Sequence, residues 1–160
     1  MANLNIDIPY FLFIGLLPSI EPRYSVPTCI LVSKSLPICT FIGILDVILL
    51  SIILTYIVNF LDSTLQQHSI FSHIYKKYIS RIRRQAAKLK QASLIMLIIF
   101  IAAPLPGTGI WSGAFLAYTL GLRRRDTLVA LLIGGLLSLA ITIIPTLTAI
   151  YVISDLHMLK

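Results

Sequence analysis

Apolar residues fill positions 94–103, give way to Pro104-Leu105-Pro106-Gly107-Thr108-Gly109, and then resume, with no charge between Leu94 and Leu122. Two prolines and two glycines within six residues cannot carry an α-helix forward, because proline lacks the backbone donor and collides with the preceding turn, while glycine costs backbone entropy. The stretch therefore reads as two half-helices around a loop. Lipid offers a bare backbone no hydrogen bonds, so such a loop persists at membrane depth only when it is buried in protein or lines a polar cavity. An interrupted apolar segment is thus a pointer to a binding site.

Composition places the chain in a bilayer. Its 160 residues are 58% hydrophobic and 12% charged, against roughly 45–50% and about 25% in soluble domains. An all-α integral membrane protein is expected. The N-terminus has Asp7 and no Lys or Arg before Arg23, so it lacks the positive region of a cleavable leader, and the first apolar segment is expected to remain. The net charge of +7 lies beside apolar spans, where anionic lipid and topology account for it, and no nucleic-acid partner is expected. Cys29 and Cys39 lie in apolar surroundings without metal-ligand spacing, and are expected to pack as small hydrophobes. His68, His73 and His157 stand apart from any acid or cysteine cluster, so neither a metal nor a cofactor is expected. Ser-His-Asp, HExxH and P-loop patterns are absent from the sequence, which reads as a non-enzyme.

Crossing about 30 Å of hydrocarbon takes roughly 20 helical residues. Four apolar segments qualify, at about 8–33, 38–60, 94–121 and 127–153. The second and fourth read as unbroken spans, the fourth kinked at Pro145 near Thr142, Thr146 and Thr148. The first is split by Pro18, Glu21, Pro22, Arg23 and Pro27, and the third by Pro104, Pro106, Gly107 and Gly109. An offset of 87 lays Phe13-Ile14 on Phe100-Ile101 and Tyr24-Ser25 on Trp111-Ser112. Corresponding broken segments in two halves point to an inverted-repeat transporter with its site between the halves. The expected organisation is one membrane domain over 1–160: repeat one at 8–61, a basic amphipathic connector at 62–93, and repeat two at 94–155.

Charge selects the topology. If all four segments crossed, the basic stretch 63–91 and Arg123-Arg124-Arg125 would lie on opposite faces, against the positive-inside bias. Re-entrant hairpins place ten of the thirteen positive residues on one face and leave Lys34 and Lys160 on the other. The expected fold is therefore an inverted repeat of re-entrant helical hairpin plus transmembrane helix. It sits as a multi-pass protein in the cell membrane, with 63–92 and Arg123–Arg125 cytoplasmic and both termini outside. Within the connector Phe71, Ile74, Tyr78, Ile82, Ala86 and Leu89 recur at helical spacing among Lys and Arg, as in an interfacial helix. Two hairpins and two spans bury few helix faces, so a homodimer is expected.

Ionisable groups at membrane depth pair, meet water or serve transport. Glu21 and Arg23 read either as a staple that fixes the first tip, or as a site in which Arg23 grips an anionic headgroup while Glu21 exchanges a coupling proton. Helices beginning after Pro27 and after Gly109 would aim free N–H groups at the loops. Thr108 and Ser112, with Ser25 and Tyr24, offer hydroxyls, and Trp111 an indole N–H. Asp46 reads as a capped or interfacially solvated carboxylate near the outer face, a proton relay or a partner to Arg23. Gly134-Gly135 reads as a close helix contact.

Pro18-x-x-Glu21-Pro22-Arg23-Tyr24-Ser25-Val26-Pro27 and Ala103-Pro104-Leu105-Pro106-Gly107-Thr108-Gly109-Ile110-Trp111-Ser112-Gly113 resemble the paired signatures of the putative small multidrug export protein family, over about residues 10–155. Pro22 and Tyr24 stand where Leu and Gly are frequent in that family. The resemblance implies export of drugs. The layout is also similar to the DedA family, whose paired hairpins and embedded acidic and arginine residues are linked to polyprenyl-phosphate transport. The expected function is a proton-coupled secondary transporter of an amphipathic anionic substrate such as a lipid phosphate. The alternatives are a multidrug exporter of cationic or amphipathic compounds, and a non-transporting scaffold or lipid-binding protein.

Overall fold

The computed structural model describes residues 8–18, 20–33, 35–65, 90–105 and 107–158. They form six helices: α1 (Ile8–Gly15), α2 (Glu21–Ser33), α3 (Leu36–Leu65), α4 (Lys90–Ala102), α5 (Ile110–Leu120) and α6 (Arg124–Met158). Within α3 and α6, Leu36–Val58 and Arg124–Val152 are long and apolar enough to cross a membrane, and fewer than half of the residues in their most apolar windows are buried. A core helix of a soluble protein is mostly covered, whereas here Phe41, Ile52, Ile133 and Ile144 face outward. Such a continuous apolar exterior suits lipid. The short helices differ in kind. At 1.5 Å per residue, the 13 residues of α4 and the 11 of α5 reach only about 20 and 16 Å.

Both breaks predicted from proline and glycine are present, at 16–20 and 103–109, but the first is shorter than expected. Pro22 and Pro27 are not loop residues; both lie in α2, which starts at Glu21 rather than after Pro27. Pro22 falls in the first turn, where the missing N–H has no partner to lose. Pro27 is interior, and beside it the Thr28 hydroxyl donates to Tyr24 O at 2.9 Å. The second break keeps Pro104, Gly107 and Gly109 out of helix. Pro106 lies outside the described residues. α5 ends at Gly121, whose left-handed φ of 66° lets the N–H groups of Gly121 and Leu122 reach Tyr118 O and Ala117 O.

The two halves pack alike. α1 and α2 pack on each other and on α3; α4 and α5 do the same with α6; α3 lies along α6, and each of α2 and α5 also touches the long helix of the other half. Exchanging the halves leaves this set of contacts unchanged. The 87-residue offset recurs in the helix ends, between Gly15 and Ala102 and between Ser33 and Leu120. It recurs inside the spans too: Thr55 donates to Ser51 O at 2.6 Å, and Thr142 to Ser138 O at 3.1 Å. Gly134 and Gly135 make the close contacts read from sequence, since a Cβ on either would meet Ile101 or Val47 below 3 Å.

One expectation is overturned at the α2–α3 turn. Cys29 and Cys39 do not pack as separate thiols; they form a disulfide with Cα atoms 5.8 Å apart. The bridge sits in an apolar cluster with Val26, Ile30 and Ile42. At the other end of α3 the Arg124 guanidinium lies 3.9 Å from the centroid of the Tyr56 ring, so the start of α6 and the far end of α3 are together. The amphipathic helix read across the connector and both chain ends lie outside the described residues.

A clasp between the two breaks

Glu21 and Arg23 begin α2 and reach across to the second break. The Glu21 carboxylate accepts from the backbone N–H groups of Ile110 and Trp111, each at 3.4 Å. These are the first two residues of α5, so a negative charge meets the positive end of the helix and satisfies donors that have no partner within it. Arg23 Nη1 donates to Ala103 O and to Thr108 Oγ1 at 3.2 Å, and Nη2 donates to Thr108 O. Ala103 directly follows α4, so the positive charge meets the negative end of that helix. Arg23 Nε lies 3.5 Å from Glu21 Oε2. Both side chains are buried, and their charges are shared with each other and with two helix ends.

Backbone geometry is adapted to this contact. Glu21 has a φ of 49°, a left-handed conformation uncommon outside glycine. Such strain persists where surrounding structure holds it, and it gathers at functional sites. Gly109 has a φ of 140°, and a Cβ there would stand 2.7 Å from Glu21 Oε1 and 2.8 Å from Arg23 Nη2. Glycine at this position is what lets the clasp close.

A cavity of about 540 Å³ opens beside the clasp, lined by Pro18, Ile20, Glu21, Arg23, Tyr24, Gly107, Thr108, Trp111 and Ser112. Of the residues read as a site from sequence, it gathers Glu21, Arg23, Tyr24, Thr108, Trp111 and Ser112. Arg23 stacks 5.1 Å from the centre of the Tyr24 ring. Trp111 Nε1 is buried with no hydrogen-bond partner among the described residues. Thr108 Oγ1 is tied into its own loop, 2.6 Å from Ala103 O and 2.8 Å from Leu105 O. Ser112 Oγ donates to Gly109 O at 3.3 Å.

Two sequence-predicted residues fall elsewhere. Ser25 and Asp46 are buried and do not line the cavity. Asp46 is neither solvated nor paired with Arg23; it packs against Gly15, the last residue of α1. The N–H groups of α5, expected to await a ligand, are already capped by Glu21. Among the described residues, no group of three or more His, Cys, Asp or Glu is placed to hold a metal. Sequence reasoning missed the Ser51/Thr55 and Ser138/Thr142 pair, although the shared Ser-x-x-x-Thr spacing at an offset of 87 was there to find.

A family model described as "Putative small multi-drug export protein" matches residues 21–141. The match begins at the clasp and takes in both of its sides. No curated protein and no solved structure matches the chain.

Proposed function

Because this chain belongs to the putative small multi-drug export protein family, we propose that it is a small secondary transporter whose substrate headgroup competes for the clasp. The observation that carries the reading is that Glu21 occupies, on Ile110 and Trp111, the place an anion would take at a helix N-terminus. A phosphate headgroup entering the cavity would take over those N–H groups, Arg23 and the unpartnered Trp111 Nε1. Glu21, displaced, would accept a proton, and the two breaks would be free to part. An amphipathic lipid phosphate fits such a cavity, with its chains in the bilayer.

In this reading α1–α2 and α4–α5 are re-entrant hairpins entering from opposite faces, and the halves form an inverted repeat in the cell membrane. Supporting it are the short helices and the contacts preserved when the halves are exchanged. A disulfide belongs to an oxidising compartment, which supports a Cys29–Cys39 turn on the outside. The end at Tyr56 and Arg124 is then cytoplasmic, in keeping with the positive-inside bias. A homodimer would cover part of the exposed apolar surface.

The family description favours a second reading, export of cationic or amphipathic drugs, in which Tyr24 and Trp111 would receive the cation. Proteoliposomes carrying a fluorescent short-chain lipid phosphate, or a cationic dye, separate the two. Charge-assisted hydrogen bonds contribute about 1.5–3 kcal/mol, so Arg23→Ala should slow lipid-phosphate movement about 10–100-fold. Glu21→Gln should abolish the accompanying proton movement. Lipid-phosphate transport unchanged in both variants would defeat the site, and dye transport alone would favour the second reading.

A further inference from the structure

Asp46 stands apart from the clasp, and its surroundings are unusual for a carboxylate. It is fully buried, and neither oxygen has a hydrogen-bond partner among the described residues. Beside it lies Ser25, 2% exposed, whose hydroxyl likewise has no partner among the described residues. Carboxylate and hydroxyl converge on one point: both lie within 3.0 Å of where a Cβ on Gly15 would sit. Gly15 closes α1, so the group also faces the negative end of a helix.

Among the residues whose side chains are described, the charges on the helices packed against α3 are spoken for. α1 and α5 carry none. Glu21 and Arg23 of α2 are committed to the second break. Arg124, Arg125 and Asp126 occupy the first turn of α6; Arg124 lies against Tyr56, which is ten residues along α3 from Asp46, or about 15 Å. Tyr10 and Tyr24 are exposed. Among the described residues an ionised carboxylate here would have neither donor nor counter-charge, and burying such an ion is prohibitive. A carboxylic acid needs much less. Its O–H can be given to Ser25 or to a carbonyl at the end of α1, and its remaining oxygen can accept from Ser25.

We propose that Asp46, with Ser25 beside it, is an internal proton-binding site of this protein, loaded as the carboxylic acid in the arrangement described and distinct from the Glu21–Arg23 clasp. A proton suits the site better than Na⁺. Sodium would require several more oxygens than one carboxylate and one hydroxyl provide. The inference holds whatever substrate moves, because it concerns the resident state of one side chain.

Infrared spectroscopy of the full chain in lipid at neutral pH tests it. A carboxylic acid has a carbonyl stretch well separated from carboxylate bands, and the chain has only six Asp and Glu residues, so assignment by substitution is practicable. The acid band should be present in the wild type, lost in Asp46→Asn, retained in Glu21→Gln and shifted in Ser25→Ala. If Asp46→Asn does not fold, Asp46→Glu should shift the band instead. Absence of the band in the wild type, or its survival unshifted in the Asp46 variants, overturns the proposal. So does a band that emerges only when Na⁺ is withheld, which would make this a sodium site. Failure of lipid-phosphate transport leaves this result standing, and the reverse also holds.

Discussion

The first break runs straight into a charged helix start, whereas the second is two residues longer and has no charge on either side. Between α1 and α2 five residues suffice, and α2 begins with Glu21 and Arg23. Between α4 and α5 seven residues including Pro104, Gly107 and Gly109 leave two helix ends bare. The charges of one half complete the backbone of the other. The two halves share one set of helix contacts, and their breaks are complementary rather than alike. If that is right, the largest penalty should fall where the second break makes room for the first. Gly109→Ala would drive a Cβ into the clasp, and should exceed the roughly 3–5 kcal/mol of breaking a buried ion pair. Gly107 is the control: it too has a positive φ, 87°, but open space around it, so Gly107→Ala should cost only about 1–3 kcal/mol of backbone strain. Denaturation in mixed micelles would compare them, and equal losses would break the contrast.

Next in size are the charges themselves. Arg23→Ala leaves Glu21 buried without its counter-ion and should cost about 3–5 kcal/mol. Glu21→Gln keeps an acceptor for Ile110 and Trp111, and should cost about 1–3 kcal/mol. A Glu21→Gln/Arg23→Ala double variant should lose less than the sum, because neither charge is then stranded. Strict additivity in thermal unfolding would mean that each residue serves its own half alone.

A second contrast separates the halves. Gly15 and Ala102 end α1 and α4 at corresponding positions, and Asp46 corresponds to Ile133 at the same offset. Ile133 faces outward, whereas Asp46 is buried against the end of α1, and there the short helix must end in glycine. Gly15→Ala should therefore overpack Asp46 and cost about 1–3 kcal/mol. Asp46→Ala in the same chain should recover most of that loss, and no recovery would show that Gly15 is held by something else.

Much of this was legible in the sequence because proline, glycine and membrane-depth charge are costly and so informative. The break at Pro104–Gly109, the two spans and six of the cavity residues follow from them. Pro22 and Pro27 misled, because proline is tolerated in a first turn and Pro27 is accommodated inside α2. The Cys29–Cys39 bridge was missed because pairing depends on how the α2–α3 turn folds back, and ten residues of separation does not reveal that. The cap that Glu21 places on α5 joins residues about 90 apart, and no local pattern encodes such a contact.

The smallest effect belongs to the end of the molecule farthest from the Cys29–Cys39 turn. Arg124 stacks on an exposed Tyr56, a contact whose counterpart is absent from the first half, where the offset puts Pro37 opposite Arg124. Cation–π contacts at exposed sites contribute about 0.5–1 kcal/mol, so Arg124→Ala should cost no more than that. Tyr56→Phe keeps a ring face and should be neutral, whereas Tyr56→Leu should match Arg124→Ala, and the double variant should add nothing further. A larger loss, or one abolished by salt, would mean that Arg124 binds anionic headgroups rather than the ring. In that case the asymmetry between the ends of α3 would be set by the membrane surface and not by packing within the protein.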